Sequence, residues 1–317
     1  MTRCMGVDVS KDYLDADTLP HTHARRFTND SAGIAELVEW ARAFDPQRIV
    51  FESTGHYQKA AVGALLAAAL PAVVVNARQV RDFAKAFGIL AKTDAIDAAV
   101  LAHFGQVVPT TVRPLPSPEI QAFQELYDRR GQLVGMLAME KNHRHATTAL
   151  RVRRDIDSHI RHLEKRIADL EDRMDQFVES CEAFRAKDEV LQSIPGIGPQ
   201  VSRTLLAYLP ELGQGKRHTI TALVGLAPFN DDSGKESRTR HIRGGRGKVR
   251  LGLYQAAVVA ISHCPPLKEM YARLKARGKA SKVALIAVAR KILVLANALV
   301  RDMTPYNPAN SVCLKNA

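Results

Sequence analysis

The chain has 317 residues, of which 46% are hydrophobic and 25% charged, a balance that excludes a disordered or fibrous protein. Its length predicts two or three domains, at about 100–200 residues each. Lys and Arg exceed Asp and Glu by 12, and the excess is local, because residues 233–291 hold 15 basic and 2 acidic residues. A local basic surplus favours a binding face for a polyanion.

The cysteines and the apolar runs exclude further classes. The four cysteines lie far apart without a C-x-x-C pair, which argues against a zinc site or a disulfide framework and fits a reducing cytoplasm. No basic stretch followed by an apolar run opens the chain, so we expect no signal peptide. The apolar run at residues 60–75 is short and contains Pro71, and Arg290 and Lys291 interrupt the run at residues 283–300. We therefore expect no membrane partner.

Strand-like and helix-like segments alternate in residues 1–108, which predicts an α/β domain with a mixed sheet. The predicted strands cover residues 4–9, 13–19, 24–28, 48–52 and 72–75, and the predicted helices cover residues 31–44, 57–70 and 91–106. Ser31 is expected to cap the first helix. Because four prolines between Val108 and Pro118 forbid a regular helix, residues 109–118 are predicted to be a linker.

A central helical domain is predicted at residues 119–190. Apolar residues repeat there at spacings of 4 and 3 over three heptads, the register of a coiled coil. They are Ile156, Ile160, Leu163, Ile167, Leu170, Met174 and Phe177, and a similar upstream stripe contains Ile120, Phe123, Tyr127, Val134 and Leu137. Two arrangements stay open: an antiparallel hairpin within the chain, and a coiled coil with a partner subunit.

The third part, residues 191–301, joins a glycine turn to a basic segment and mostly helical sequence, and residues 302–317 are predicted to be a loosely ordered tail. The segment S-I-P-G-I-G-P is similar to the turn of helix-hairpin-helix modules, whose glycine amides receive a backbone phosphate; a plain packing turn is the alternative. Residues 233–250 add seven basic residues and one acid. The predicted nucleic-acid-binding residues are Gly196, Gly198, Lys235, Arg238, Arg240, Arg243, Arg246, Lys248, Arg250, Lys279 and Lys282.

Four acidic residues occupy positions from which carboxylates converge in ribonuclease-H-like sheets. Asp8 lies in the first strand, Glu52 ends the fourth, and Asp94 and Asp97 share one face of a helix. Carboxylates that close repel one another, and two Mg²⁺ ions relieve the repulsion and hold both oxygens of a phosphoryl displacement. The alternative is that each acid is a helix cap or an ion-pair partner.

Ser233, in a segment rich in glycine and arginine, has two interpretations. It either belongs to a nucleic-acid-binding loop without catalysis, or it is a nucleophile on phosphorus whose neighbouring arginines stabilise the transition-state charge. The residue pattern alone leaves both open.

The ordered motifs of the chain resemble those of insertion-sequence transposases with an N-terminal RuvC-like DEDD domain, including the Piv-type invertases and the bridge-RNA-guided recombinases. The matching motifs are G-V-D-V-S-K, F-E-S-T-G-H-Y, K-T-D-A-I-D-A, S-I-P-G-I-G-P, A-L-V-G-L-A-P-F and D-S-G, and they span nearly the whole chain. The resemblance implies a RuvC-like domain, a coiled-coil domain and a C-terminal transposase domain in which Ser233 is the nucleophile and Ser237 the fallback.

The resemblance also implies a site-specific recombination through a covalent phosphoserine, assisted by one or two Mg²⁺ ions at the four acids. The implied partners are donor and target DNA, a structured noncoding bridge RNA, and further copies of the chain, as a dimer that assembles to a tetramer. The implied location is the bacterial cytoplasm, with nucleoid association on DNA. Alternatives are a metal-dependent nuclease without a covalent intermediate, a non-catalytic nucleic-acid-binding protein, and an actin-like sugar kinase, for which a second phosphate motif is missing.

Overall fold

The computed structural model describes residues 2–53, 55, 57–89, 94–110, 112, 117–228, 232–233, 236–237 and 241–308, with only the backbone at 94–96, 232–233 and 236–237. The chain forms two compact units, Met1–Leu115 and Pro116–Ala317. A mixed sheet lies in the first unit and the chain is otherwise mostly helical, which confirms the predicted fold class.

The first unit is a five-stranded sheet between two layers of helices. Its elements are β1 (Cys4–Val9), β2 (Tyr13–Leu19), β3 (Arg25–Thr28), α1 (Ser31–Phe44), β4 (Arg48–Glu52), α2 (Lys59–Ala67), β5 (Ala72–Val75), α3 (Ala77–Ala86) and α4 (Asp94–Val107). The strand order is β3-β2-β1-β4-β5, antiparallel from β3 to β1 and parallel from β1 to β5. Buried side chains of α1 and α2 pack on one face of the sheet, and those of α3 and α4 pack on the other.

All five predicted strands are confirmed, with the third starting at Arg25 and not at residue 24, and three details of the helices were wrong. The N-cap of α1 is Asp30 and not Ser31: Asp30 is extended, and its carboxylate accepts the Gly33 amide at 2.9 Å, which lowers the pKa of Asp30. Helix α2 ends at Ala67, short of the predicted residue 70, because Ala69 takes a positive φ of 58° ahead of Pro71. Helix α3 was not predicted at all.

The second unit is helical apart from one short hairpin. Its elements are α5 (Pro118–Ala146), α6 (Leu150–Ser180), α7 (Glu182–Gln192), α8 (Pro199–Tyr208), α9 (Arg217–Val224), β6 (Asp232–Ser233), β7 (Glu236–Ser237), α10 (Gly247–His263), α11 (Pro265–Ala276) and α12 (Ser281–Asp302). Ser117 caps α5, and Pro118 occupies its first turn, where a missing N–H costs no hydrogen bond.

Helices α5 and α6 form an antiparallel hairpin. Ion pairs join them in reverse order along the two helices, and they are Arg130–Glu171, Lys141–Glu164 and Arg144–Asp157. Leu163 and Leu170 of the heptad stripe are buried against Leu133 of α5. The hairpin within the chain is therefore the arrangement observed, and a coiled coil with a partner subunit stays a prediction.

One residue of the predicted α5 stripe was wrong. Val134 is 39% exposed, and Leu133 occupies the buried position instead. A shift of one residue turns a side chain by about 100° around a helix, so Val134 lies outside the stripe that Phe123 and Leu133 share.

The core of the second unit runs without a break past the predicted boundary at residues 190 and 191. Met174 and Phe184 share it with Val288 and Ile292 of α12. Helix α12 is long and apolar enough to span a membrane, but 72% of its most apolar stretch is buried in this unit. Such burial is typical of the core helix of a globular protein.

Candidate active site

Two of the predicted acids lie on one face of the sheet. In the parallel pair of β1 and β4, Val7 is aligned with Phe51, so Asp8 and Glu52 follow at neighbouring positions. Val7 and Phe51 point into the core beneath α1 and α2. Because side chains alternate along a strand, Asp8 and Glu52 lie on the opposite face, beneath α3 and α4.

Helix α4 adds Asp97 to that face because a glycine allows a close approach. A Cβ on Gly6 would collide with the Ala98 carbonyl oxygen and would lie 2.7 Å from the Leu101 Cβ. Glu52 and Asp97 line one cavity of about 370 Å³, and both are partly exposed. Asp94 begins α4, and its side chain lies outside the described residues. We call Asp8, Glu52 and Asp97 the carboxylate face.

The donor chemistry of the carboxylate face fits a hard cation, since Mg²⁺ and related ions prefer carboxylate oxygens. Among the side chains that the structure describes, no three His, Cys, Asp or Glu form a ready-made metal cluster. Cation binding by Asp8, Glu52, Asp94 and Asp97 together stays a prediction, because the side chain of Asp94 lies outside the described residues.

The cavity has two basic lining residues that sequence reasoning missed. Arg78 and Arg81 on α3 lie beside Glu52 and Asp97 along its wall. The signal was present: Asn76 follows a buried strand and caps α3, accepting the Arg78 amide at 2.8 Å, and Val80 and Ala84 form the buried side of an otherwise polar helix. Arg78 also forms an ion pair with Asp82 of the same helix, at 3.8 Å.

The serine motif forms a short antiparallel hairpin. Ser233 is paired with Glu236, and Asp232 is paired with Ser237. Both candidate nucleophiles therefore lie on the same two-stranded element, which belongs to a segment we call the serine loop, residues 227–243. Their side chains lie outside the described residues.

The predicted nucleic-acid-binding residues have different surroundings. Lys235, Arg238 and Arg240 lie outside the described residues. The side chains of Arg243, Lys279 and Lys282 are exposed. The remaining three cations contact the protein itself, and these are Arg246 with Glu211, Lys248 with Asp128, and Arg250 with two backbone carbonyls.

The two glycines of the predicted hairpin turn also differ. Gly196 has a φ of 91°, and a Cβ there would collide with the Ala256 carbonyl oxygen and lie 2.9 Å from the Ala260 Cβ. That close approach gives Gly196 a packing function against α10. Gly198 is exposed at the N-cap of α8, where its role in phosphate binding stays a prediction.

Helices α5, α8 and α10 enclose a cleft of about 770 Å³ whose lining includes Arg130, Gln200 and Lys248. At its edge the Tyr208 hydroxyl donates to the Asp128 carboxylate, which also accepts the Lys248 ammonium. Burial and the hydrogen bond to Asp128 raise the pKa of Tyr208 far above its ordinary value. The Tyr208 hydroxyl therefore keeps its proton, and stays a donor to Asp128, to a higher pH than an ordinary tyrosine would.

A carboxylate face on a mixed sheet, followed by a helical unit with a serine hairpin and a basic segment, is the arrangement of a transposase, an enzyme that cuts DNA and transfers strands. The sequence profile of the IS110-type DEDD transposases matches residues 5–151, and that of the IS116/IS110/IS902 transposase family matches residues 188–272. The chain belongs to this family of insertion-sequence transposases, and it acts on DNA. The resemblance and the enzyme class predicted from the motifs are confirmed.

Two relatives cover nearly the whole chain. The pilin gene-inverting proteins of Moraxella lacunata and Moraxella bovis are each 27% identical to it, over 96% of this chain and 97% of the relative. A 44.8 kDa protein of insertion element IS116 from Streptomyces clavuligerus is 30% identical over 41% of this chain and 34% of the relative. Among solved structures, RuvC of Thermus thermophilus matches 36% of this chain at 15% identity with a TM-score of 0.28.

Proposed function

We propose that this transposase is a site-specific recombinase that cuts and rejoins DNA through a covalent phosphoserine. One observation carries the proposal: the same chain holds a carboxylate face at Asp8, Glu52 and Asp97 and a hairpin that presents Ser233 within a basic segment. A carboxylate set suits phosphoryl transfer, and a serine beside arginines suits nucleophilic attack on phosphorus. Ser237 is the second candidate for the nucleophile.

In the proposed reaction the Ser233 hydroxyl loses its proton and its oxygen bonds to a DNA phosphorus. The bond from that phosphorus to the sugar oxygen of the leaving strand breaks, and the sugar oxygen takes up a proton. Rejoining reverses these steps with a different strand end. Asp8, Glu52, Asp94 and Asp97 would hold one or two Mg²⁺ ions, which supply positive charge for the phosphate oxygens. Exposed cations such as Arg243 and Lys279 grip the DNA backbone.

We further propose that the chain binds a structured noncoding RNA, acts as a dimer that assembles to a tetramer, and lies in the cytoplasm on the nucleoid. The excess of basic over acidic residues in residues 233–291, 15 against 2, supports a nucleic-acid surface on the second unit. Pairing of such an RNA with DNA would read the sequence while the protein holds the backbones.

A denaturing gel of end-labelled donor DNA tests the serine. The protein is incubated with Mg²⁺ and with RNA transcribed from the flanks of its gene, and wild type runs beside Ser233→Ala and Ser237→Ala. We expect a slow, protease-sensitive DNA species in wild type and Ser237→Ala that is absent from Ser233→Ala. Cleaved DNA without an adduct, equal in all lanes, would make the enzyme a metal-dependent nuclease without a covalent intermediate.

The carboxylate face is tested by Asp8→Asn and Glu52→Gln, which remove charge and keep side-chain volume. We expect both variants to lose strand cleavage while their affinity for DNA stays near that of wild type, because only the cation site is changed. Full cleavage by either variant at saturating Mg²⁺ would contradict the assignment.

A further inference from the structure

The two chain segments that flank the serine loop cross each other at close range. The Arg246 amide donates to the Leu223 carbonyl at 3.0 Å. Gly225 and Gly245 have φ values of 75° and 69°, and a Cβ on Gly245 would lie 2.7 Å from the Gly225 Cα. Residues with side chains rarely adopt such φ values, and here they would also collide. We call this crossing, residues 223–226 and 244–246, the loop base.

The Arg246 guanidinium makes three hydrogen bonds next to the loop base. Its two terminal nitrogens donate to the Glu211 carboxylate at 2.5 and 2.6 Å, and one of them also donates to the Tyr208 carbonyl at 2.9 Å. Both side chains are largely buried, with 27% of Arg246 and 28% of Glu211 exposed. A two-pronged pair of this kind needs the planar fork of arginine and fixes its orientation.

The Arg250 guanidinium joins the two sides of the loop base directly. Its Nη1 donates to the Val224 carbonyl at 3.2 Å, on the segment that enters the serine loop. The same nitrogen donates to the Gly244 carbonyl at 2.5 Å, on the segment that leaves it. One cation thus holds the start and the end of the serine loop together.

We propose that Arg246 and Arg250, with Glu211, are positioning residues that hold the serine loop in place for the reaction of Ser233, and not residues that grip DNA phosphates. The proposal rests on the proposed function of Ser233. It assigns two of the basic residues near Ser233 to the protein's own framework, because their donors are directed at a carboxylate and at carbonyls inside the second unit.

If Arg246 and Arg250 position the serine loop, their variants should behave differently from variants of residues that bind DNA phosphates. A lost phosphate contact reduces the salt dependence of DNA affinity, by about 0.9 in the slope of log K against log salt. A lost positioning contact leaves that slope unchanged and slows the chemical step, by about tenfold to 100-fold for a displacement near 1 Å. Glu211→Gln separates the two cases most sharply, because it removes an acid and so cannot remove a cationic phosphate contact.

The experiment uses full-length protein, an end-labelled donor duplex, Mg²⁺ and the flanking RNA. The variants are Glu211→Gln, Arg246→Lys and the charge swap Glu211→Arg with Arg246→Glu, and the matched control is Lys279→Gln, an exposed predicted phosphate contact. For Glu211→Gln and Arg246→Lys we expect wild-type salt slopes and adduct formation slowed about tenfold to 100-fold at saturating DNA. The charge swap recovers part of the rate, and Lys279→Gln lowers the salt slope.

A reduced salt slope in Arg246→Lys, together with a wild-type or faster adduct rate in Glu211→Gln, would overturn the proposal. Hydrogen exchange gives a readout that does not depend on activity: residues 223–226 and 244–246 should exchange faster in Glu211→Gln, while α12 exchanges as in wild type. If wild type forms no Ser233-dependent adduct, the proposed function fails, and unchanged exchange at the loop base would separately reject the positioning function.

Discussion

The carboxylate face and the serine loop are held in place by different forces. The carboxylate face is fixed by packing, since Gly6 lets the backbone of α4 approach β1, and each of these elements contributes buried side chains to a core cluster of the first unit. The serine loop is fixed at its base by polar contacts from Arg246 and Arg250 and by two crossing glycines. Substitutions that disturb the carboxylate face should therefore lower both folding stability and activity. Substitutions at the base of the serine loop should lower activity more than stability.

The largest effect is expected for Gly6→Ala. The added Cβ meets backbone atoms of α4, which have no rotamer to escape into, so α4 must shift away from β1. We expect the free energy of unfolding to fall by about 1–3 kcal/mol, as for other overpacked cores. Displacing Asp97 by about 1 Å should also lower DNA cleavage by about 100-fold. Denaturant unfolding and the cleavage assay measure the two effects.

Gly63→Ala is the matched control within the same unit. Gly63 lies inside α2, and a Cβ there would meet no described atom within 4 Å. Alanine in an open helical position should raise stability by about 0.5–1 kcal/mol and leave cleavage unchanged. Equal effects of the two substitutions would show that the approach of α4 to β1 does not set the carboxylate face.

A smaller effect on stability is expected for Gly245→Ala in the loop base. Gly244 and Gly245 both have positive φ, so alanine costs about 1–2 kcal/mol at either position. A Cβ on Gly245 also collides with the backbone around Gly225, whereas the described surroundings of Gly244 leave a Cβ open space within 4 Å.

Comparing Gly244→Ala with Gly245→Ala therefore separates the effect of the collision at the loop base from the effect of backbone strain, which both variants share. We expect Gly245→Ala to slow adduct formation about tenfold more than Gly244→Ala, with unfolding free energies that differ by about 1 kcal/mol or less. Adduct rates at saturating DNA and denaturant unfolding measure this. Identical adduct rates would mean that the crossing does not position the loop.

The sequence predicted the parts of this chain whose signal is local. Buried strands such as Arg48–Glu52 are short apolar runs, and the heptad of α6 repeats within a single helix. The acids were proposed from their positions in the predicted elements, with Asp8 in the first strand and Glu52 at the end of the fourth, and only the structure shows that these two strands are parallel neighbours.

The contacts that the basic residues make within the protein could not be predicted from local sequence patterns. Arg246 and Glu211 lie 35 positions apart, and only the folded second unit brings them together. Composition counts charges without showing which contacts they make within the folded protein, so the contacts of Arg246, Lys248 and Arg250 inside the second unit were not predicted. Helix α3 was missed for a different reason: Asn76 gave a cap signal, but two buried positions, Val80 and Ala84, are too few to add a helical period to it.

The smallest effect concerns a polar contact in the second unit, away from the loop base. Burial and the hydrogen bond with Cys264 raise the pKa of Tyr306 to about 12 from an ordinary value of 10. A raised pKa means that the folded state favours protonated Tyr306, so its contribution to stability is complete below about pH 10 and is lost as the pH rises to about 12. Tyr306→Phe removes this titration, so its unfolding free energy should fall less steeply across that window. Denaturant unfolding at several pH values gives both slopes. Parallel slopes would mean that Tyr306 has the same pKa in the folded and unfolded chain. Its contact with Cys264 would then make no pH-dependent contribution to the unfolding free energy.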